Sequence, residues 1–298
     1  GNEAWADYSI VAGGRSNVAG DDSGTDRTVG ESSAVLAGSS NRAEADLAAV
    51  SGGVGNTASG YASSISGGAD NGASDSYSSV SGGIDNTASG DYSSISGGSN
   101  NVASGRAATV LGGGGDAASL GNEAWADHSI VAGGRSNVAG DDSDTDRTVG
   151  EASVVLAGFL NRAEADLAAV SGGRYNTASG AYASVSGGWD NTASGEVCSV
   201  SGGWDNIASG NLSSVSGGYE NTASGTNSSV SGGQSNTASG DYSSVSGGYE
   251  NTASGQNSSI SGGTVNEASG ESSTIGGGAN GSVSGGADWL AGTLFEEN

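Results

Sequence analysis

Aromatic rings that stand next to carboxylates are the groups in this sequence best suited to bind a ligand. The segment SVSGGWDN occurs twice, and a tyrosine followed by glutamate takes the place of its Trp-Asp pair in two later copies. The candidate stripe consists of Trp189, Trp204, Tyr219, Tyr249, Asp190, Asp205, Glu220 and Glu250. Aromatic side chains stack on the apolar faces of sugars or on a protein partner, so the stripe predicts binding of a surface glycan or a protein receptor. The alternative, that the rings only pack on one another or at a subunit seam, stays open.

Two clusters of acidic residues are candidates for binding a metal ion. Each lies in a stretch that is longer than the repeats around it. The residues are Asp21, Asp22, Asp26 and Glu31 in the first cluster and Asp141, Asp142, Asp144, Asp146 and Glu151 in the second. Ca²⁺ takes about six to eight oxygen ligands, which such loops can supply. The spacing is not that of an EF-hand, and a solvated acidic loop is the alternative, so calcium is the one cofactor that the sequence suggests.

Catalytic chemistry has few candidate residues. The single histidine, His128, stands at the repeat position that holds Tyr8 and Tyr77 in other copies, which indicates a surface aromatic position. The single cysteine, Cys198, stands where another copy has Ser213, which indicates a small buried side chain. No histidine occupies an equivalent neighbouring place from which it could activate the thiol. The sequence predicts that the protein is not an enzyme and has no catalytic residue.

A repeat of 15 residues sets the positions of all these groups. An aliphatic anchor in the motif SVSGG recurs from Val11 to Ile275, and the consensus unit is VSGGxxNTASGxxSS. A fixed period of this length is typical of a solenoid whose coils stack. Dense glycine disfavours helix, whereas the segments TAS and SSVS suit short strands with valine and alanine pointing inward. The predicted fold is all-β, a parallel β-solenoid (β-roll) of about 17 coils with a 15-residue period.

An asparagine follows most of the anchors by six residues, among them Asn17 after Val11 and Asn137 after Val131. Asparagine tolerates left-handed backbone geometry, and its amide can hydrogen-bond the equivalent residue of the next coil. We therefore predict a structural turn ladder, with a row of ligand-binding amides as the alternative. The ladder includes Asn56, Asn86, Asn101, Asn176, Asn191, Asn206, Asn221, Asn236 and Asn251. Glycine pairs such as Gly82-Gly83 and single glycines such as Gly90 mark the other bends, because glycine adopts positive φ without steric cost.

Composition and charge restrict the class of protein. The chain has 298 residues, among them 58 glycines and no proline or methionine, so it lacks the large side chains that fill an ordinary globular core. Its formal net charge is -25, with 33 acidic residues against 8 basic ones. Such a surface repels nucleic acid and anionic lipid, and it resembles the surfaces of proteins from extreme halophiles. We expect neither nucleic acid as a partner nor insertion into a membrane.

A longer duplication overlies the 15-residue repeat. The segment 1–31 returns almost unchanged at 121–151. This predicts a first solenoid block at 1–120, a second block at 121–286, and a C-terminal apolar cap or junction at 287–298 that contains Trp289, Leu290, Leu294 and Phe295. Because the sequence opens at a block boundary, we expect that it is cut from a longer array or that subunits join head to tail. A cap on the last coil is the alternative.

The repeat resembles a known family. The alternation ASGxxSSVSGGxxNTASG, as in Ala88-Ser89-Gly90 followed by Ser93-Ser94-Ile95-Ser96-Gly97-Gly98, is similar to the head repeats of trimeric autotransporter adhesins and related phage fibres, the YadA-like head β-roll. The resemblance covers residues 9–286 and implies three chains side by side in a non-enzymatic attachment rod. The unit differs from the family's usual one in being one residue longer and in carrying glycine, as at Gly82, at the second inward aliphatic position.

The expected function follows from the repeat, the charge and the resemblance. One aliphatic residue and one alanine per coil make a thin core, which favours a homo-oligomer because symmetric association covers faces that a single chain leaves exposed. We expect a trimeric, extracellular structural or adhesive fibre of a halophilic prokaryote, on a cell or virion surface. Two alternatives stay open: a receptor-binding tail or spike fibre of a virus that infects a halophile, and a self-assembling head-to-tail filament subunit.

Overall fold

The structure is a computed structural model, and it describes residues 1–21, 28–117, 120–143 and 146–291. These residues belong to two compact units, Gly1–Leu160 and Asn161–Asn298. The described residues form short parallel β-strands and contain no α-helix, and no helix among them is long enough to span a membrane. The predicted all-β, parallel β-solenoid with a 15-residue period is confirmed.

Each coil of the first unit contributes one strand to each of two parallel sheets. The strands of the first sheet are β1 (Glu3–Ala4), β3 (Val18–Ala19), β5 (Arg42–Ala43), β7 (Thr57–Ala58), β9 (Gly72–Ala73), β11 (Thr87–Ala88), β13 (Val102–Ala103), β15 (Glu123–Ala124) and β17 (Val138–Ala139). The strands of the second sheet are β2 (Ile10–Val11), β4 (Ala34–Val35), β6 (Ala49–Val50), β8 (Ser64–Ile65), β10 (Ser79–Val80), β12 (Ser94–Ile95), β14 (Thr109–Val110), β16 (Ile130–Val131) and β18 (Val154–Val155).

The second unit is built in the same way. The strands of its first sheet are β19 (Arg162–Ala163), β21 (Thr177–Ala178), β23 (Thr192–Ala193), β25 (Ile207–Ala208), β27 (Thr222–Ala223), β29 (Thr237–Ala238), β31 (Thr252–Ala253), β33 (Glu267–Ala268) and β35 (Ser282–Val283). The strands of its second sheet are β20 (Ala169–Val170), β22 (Ser184–Val185), β24 (Ser199–Val200), β26 (Ser214–Val215), β28 (Ser229–Val230), β30 (Ser244–Val245), β32 (Ser259–Ile260), β34 (Thr274–Ile275) and β36 (Trp289–Leu290).

Neighbouring coils pair with an offset of one repeat. In the second unit β22 pairs with β24 through Ser184 with Ser199 and Val185 with Val200. Each strand is two residues long, shorter than the segments TAS and SSVS suggested, because glycine and left-handed residues turn the chain soon after it. The stack is therefore held by many short rungs rather than by a few long strands.

The last strand extends the solenoid into the segment that the sequence suggested as a cap or junction. Trp289 and Leu290 pair in parallel with Thr274 and Ile275. Leu290 takes the anchor position of one further coil. The predicted anchors are all valine or isoleucine and end at Ile275, so they did not include it. The described residues of the two units form about 19 turns, against the expected 17 or so. Leu294 and Phe295 lie outside the described residues.

The interior of each coil holds small side chains. In the coil that begins at Val200 the buried side chains are those of Val200, Asn206, Ala208 and Ser213, each no more than 1% exposed. The inward position of valine and alanine is the one predicted. Burial of one valine contributes about 2 kcal/mol, so backbone hydrogen bonds between coils must supply much of the remaining cohesion.

Two corners of most coils have left-handed backbone at residues other than glycine. Asp205 (φ 56°) and Leu212 (φ 61°) show them in one coil. The prediction that the ladder asparagines are left-handed is wrong, because the residue before each of them adopts that conformation. The left-handed residue donates its N–H to the preceding coil, whereas the residue before it donates to the next coil. Asp205 donates to the carbonyl of Trp189 at 3.0 Å, and Trp204 donates to the carbonyl of Gly218 at 2.9 Å. Each coil is thus bonded in both directions.

The glycines are required for two different reasons. Gly83 is left-handed (φ 96°), whereas the prediction of positive φ for Gly82 and Gly90 is wrong. Gly90 is required because a Cβ there would overlap the carbonyl oxygen of Gly105 in the next coil. Close approach of stacked backbones, rather than turn geometry alone, therefore accounts for part of the glycine content.

Strain at a left-handed corner gives a first testable prediction. Val197 has φ 56°, a conformation that costs a β-branched residue about 1–2 kcal/mol. Asn227 and Asn257 occupy the same corner in other coils. Val197→Asn is expected to raise the free energy of unfolding by about 1 kcal/mol, measured by chemical denaturation. The reciprocal change Asn257→Val should lower it by a similar amount, and a loss of stability in both variants would show that the corner is not strained.

Candidate functional site

A third line of contacts between coils carries the predicted aromatic stripe. In the second unit isolated β-bridges join one residue per coil, and we call this line the bridge column. It consists of Arg174, Trp189, Trp204, Tyr219, Gln234, Tyr249, Thr264 and Ala279. Residue types as different as arginine, tryptophan, glutamine and alanine occupy it. The fold therefore fixes the backbone of the bridge column but not its side chains.

The rings of the bridge column stack on one another. The ring centroids of Trp189 and Trp204 are 5.2 Å apart with an interplanar angle of 9°. Tyr219 lies 5.2 Å from Trp204 but is inclined by 62°, so the parallel stack ends at Trp204. The alternative interpretation, that the rings pack on one another, thus applies to part of the stripe. Trp189 and Trp204 nevertheless remain 44% and 50% exposed, which leaves surface for a ligand.

Arg174 is a member of this stack that the sequence analysis did not single out. Its guanidinium carbon lies 5.4 Å from the Trp189 ring centroid and 4.8 Å from that of Tyr175. Cation–π contacts of this kind are attractive because the ring faces carry negative potential. The available signal was its register, since Arg174 stands fifteen residues before Trp189 in the repeat.

The predicted acidic partners lie at the left-handed corner beside the rings. Asp190, Asp205, Glu220 and Glu250 are all exposed there. A hydrogen bond to Glu220 raises the pKa of Tyr219, helped by partial desolvation and by the charges of Glu220 and Asp205. Glu250 raises the pKa of Tyr249 in the same way. The structure therefore brings the four rings and four carboxylates together along one edge of the second unit.

Removal of the carboxylate beside Tyr219 is expected to lower the pKa of that phenol toward its ordinary value of about 10. Because the pKa is raised in the folded protein, the stabilisation by this pair is complete below the ordinary pKa and is lost as pH rises through the raised one. In an alkaline titration followed by tyrosinate absorbance, Glu220→Gln should show one tyrosine ionising at lower pH than in the wild type. Glu196→Gln, at another corner, should leave the curve unchanged. Coincident curves for Glu220→Gln and wild type would contradict the hydrogen bond.

The ladder asparagines are buried and bind the coils to each other. The Asn206 Oδ1 accepts hydrogen bonds from the backbone N–H of Asn221 at 3.0 Å and from its Nδ2 at 3.1 Å. The Asn206 Nδ2 donates to the carbonyls of Gly202 and Gly218, both at 3.0 Å. The Asn206 Nδ2 also lies 3.1 Å from Asn191 Oδ1, so this amide contacts its own coil and both neighbouring coils. The nine predicted ladder asparagines are 0% exposed, so their amides offer no surface to a ligand.

Two further members of the ladder escaped the sequence analysis. The N–H of Asn17 donates to Asn2 Oδ1 at 3.1 Å, and the N–H of Asn137 donates to Asn122 Oδ1 at 3.1 Å. Asn122 does not stand six residues after its anchor, Val110, because extra residues lengthen that coil. Both asparagines stand fifteen residues before a recognised ladder member, and counting backward from Asn17 and Asn137 would have found them.

The acidic residues do not converge on a metal site in the part of the chain that the structure describes. There, no group of three or more histidine, cysteine, aspartate or glutamate side chains could hold a metal ion. Asp141 Oδ1 accepts a hydrogen bond from the N–H of Ser143 at 2.9 Å. Asp146 Oδ1 accepts hydrogen bonds from the hydroxyl and N–H of Thr148 at 2.7 and 3.0 Å, which lower the pKa of Asp146. These two carboxylates are thus used in local turns.

The other predicted calcium ligands are only partly among the described residues. Asp22, Asp26 and Asp144 lie outside the described residues. Asp21 is half-buried and Asp142 is exposed. The N–H groups of Gly30 and Glu31 donate to Asp46 Oδ1 at 2.8 and 3.0 Å, which holds the end of the first acidic loop against the next coil.

The single histidine and the single cysteine occupy the kinds of position that the repeat indicated. His128 is exposed at a left-handed corner, and its Nδ1 lies 3.3 Å from Glu151 Oε1. Cys198 is 1% exposed, and its thiol donates to the carbonyl of Ala208 at 3.2 Å. Burial raises the pKa of the Cys198 thiol, which keeps it protonated and unreactive at neutral pH.

The first unit carries a smaller aromatic cluster at a different corner. The rings of Tyr77 and Tyr92 stack at 4.9 Å with an interplanar angle of 7°, and Tyr61 meets Tyr77 edge-on at 5.5 Å. Its three rings are all tyrosines.

No protein-family model matches the chain, and no curated protein sequence matches it. The function must therefore be argued from the geometry of the coils and of the bridge column.

Proposed function

We propose that this protein is a non-enzymatic structural and adhesive fibre that works outside the cell and attaches through the aromatic stripe of the second unit. The observation that carries the proposal is the exposure of Trp189 and Trp204 at positions that the fold leaves free. Gln234, Thr264 and Ala279 hold equivalent positions in coils of the same unit, so the tryptophans are not needed to build a coil. Large exposed rings without a structural requirement are typical of binding surfaces.

The ligand proposed is a surface glycan or a protein receptor. Asp190 and Asp205 stand one residue after each tryptophan and are exposed, so they can accept hydrogen bonds from sugar hydroxyls or from basic groups of a protein. The charge of the chain supports a location in concentrated salt, because salt screens repulsion among 33 acidic side chains. A halophilic source is thus part of the proposal.

The attachment proposal is tested by removing the tryptophans. Trp189→Ala with Trp204→Ala should reduce binding to whole cells and to an array of neutral and acidic oligosaccharides at least tenfold. The circular dichroism spectrum should not change, because both side chains lie outside the core. Trp289→Ala, which removes a ring that is 70% exposed but lies outside the stripe, serves as the control. Undiminished binding by the double variant would defeat the proposal.

A homo-oligomer, specifically a trimer, belongs to the same proposal. The outward residues of β22 and β24 are Ser184 and Ser199, and the charged residues of these coils, such as Asp190 and Glu196, lie at the corners. A face of small uncharged side chains is one on which two like-charged chains can approach closely. Light scattering behind a sizing column should give three times the chain mass. A monomer mass over the accessible concentration range would refute the trimer.

A further inference from the structure

The bridge column lacks a ring in one coil, at Gln234, and we call this position the gap. Tyr219, Gln234 and Tyr249 are joined in register by successive β-bridges, so the two tyrosines flank one coil that carries no ring. At about 4.8 Å per coil, the two tyrosine positions are about 10 Å apart. A planar group placed between them would lie about 5 Å from each ring position. This is close to the 5.2 Å that separates the stacked rings of Trp189 and Trp204.

The chain itself places guanidinium groups next to rings in this column. Arg174 lies over Trp189, its neighbour in the bridge column, at 5.4 Å. In the first unit Arg135 and Phe159 are joined by the equivalent bridge, and the guanidinium carbon of Arg135 lies 4.5 Å from the Phe159 centroid. A guanidinium is planar and weakly hydrated, and it stacks on aromatic faces. The coil geometry therefore accepts this group as a neighbour of a ring.

Negative charge surrounds the gap. Glu220 Oε2 accepts a hydrogen bond from the Ser235 hydroxyl at 3.2 Å, so this carboxylate reaches over the coil that carries Gln234. Glu250 lies at the corner of the following coil and is exposed. The charge of Glu220 also contributes to the raised pKa of Tyr249 on the far side of the gap. A cation in the gap would have a carboxylate on each side.

We propose that the gap binds one guanidinium group, presented as an arginine side chain of a partner protein. The guanidinium plane stacks between Tyr219 and Tyr249, and its N–H groups donate to Glu220 and Glu250. The exposed Gln234 side chain turns aside to admit it. A lysine ammonium lacks the plane for stacking, and the neutral urea group of citrulline lacks the charge. This inference rests on the attachment function proposed above and names the chemistry of one contact in the stripe.

The probes for this site are the acetylated amides of arginine, lysine and citrulline. Binding is followed by nuclear magnetic resonance titration of protein with isotope-labelled tyrosine rings. The arginine probe should shift the signals of Tyr219 and Tyr249 and bind at least threefold more tightly than the lysine probe and at least tenfold more tightly than the citrulline probe.

Two matched variants locate the site. Gln234→Trp fills the gap with tryptophan, which the column already accepts at Trp189 and Trp204. This variant should bind the arginine probe at least tenfold more weakly. Thr264→Trp adds the same ring beyond Tyr249 and should leave the affinity unchanged. Both variants should keep the wild-type circular dichroism spectrum.

The outcomes separate this proposal from the attachment function. Equal affinity for the arginine and lysine probes, or unchanged affinity in Gln234→Trp, would overturn the guanidinium site. The guanidinium site would also be overturned if the protein bound oligosaccharides but not the arginine probe, and if Gln234→Trp left the oligosaccharide binding intact. The attachment function would stand in that case. Arginine binding at the gap together with full attachment by the variant that lacks Trp189 and Trp204 would support the site and defeat the attachment function.

Discussion

Replacing Gly188 by alanine is expected to destabilise the second unit by more than about 4 kcal/mol, enough to prevent folding of the affected coils. Gly188 has φ 93°, where a residue with a Cβ is strained. A methyl group there would also overlap the carbonyl oxygen of Gly203 and stand 2.5 Å from Asn191 Nδ2. Because both obstacles are backbone or buried side chain, the coil spacing would have to open. Loss of the β-sheet circular dichroism signal and a lower denaturation midpoint would report this.

The adjacent Gly187 provides the control within the same turn. A Cβ at Gly187 would meet no atom within 4 Å, and this glycine does not have a positive φ. Gly187→Ala should therefore change the free energy of unfolding by less than about 1 kcal/mol. Equal loss of stability in the two variants would mean that glycine is needed for flexibility of the pair and not for the contact with Gly203.

Removal of one rung from the asparagine ladder should have the second largest effect. Asn221→Ala is expected to lower the free energy of unfolding by about 3–5 kcal/mol, because each buried polar group left without a partner costs about 1–3 kcal/mol. The backbone N–H of Asn236 loses its acceptor at 3.0 Å, and the carbonyl of Gly217 loses its donor at 3.0 Å. Urea denaturation followed by circular dichroism measures the difference.

Asn227 supplies the comparison for the ladder variant. It is exposed at a left-handed corner that alanine already occupies at Ala107 and Ala152. Asn227→Ala should cost less than about 1 kcal/mol. If Asn221→Ala cost no more than Asn227→Ala, the ladder hydrogen bonds would contribute nothing net to the stack.

Much of the fold could be predicted because each coil repeats the same physical problem. Valine and alanine recur at a fixed period, and only inward positions explain small apolar residues there, so Val200 and Ala208 are buried as expected. The left-handed corner before the asparagine could not be predicted. It holds Tyr175, Asp190 and Val265 in different coils, so no residue type marks it. The stacking of successive coils imposes that conformation.

The candidate site could be predicted in register but not in side-chain contact. The repeat places Trp189 and Trp204 on adjacent coils, and their separation follows from the coil spacing. Whether two rings lie parallel, as these do, or inclined, as Tyr219 does, depends on side-chain torsions and neighbours that the period does not encode. For the same reason the sequence did not indicate the contact of Arg174 with Trp189, because that contact depends on where the guanidinium lies.

Because the fold does not fix the side chains of the bridge column, the second unit can present different ligand-binding groups at a regular spacing. Its backbone bridges fix one display position per coil, and positions recur at about 4.8 Å. A ligand with its own regular spacing, such as a polymer on a surface, would contact several of these positions at once only if its repeat length matches a multiple of that interval. Simultaneous contacts raise the effective concentration of each group, so weak individual contacts combine into tight attachment. Selectivity would then come from the period of the ligand as well as from the chemistry of any one side chain.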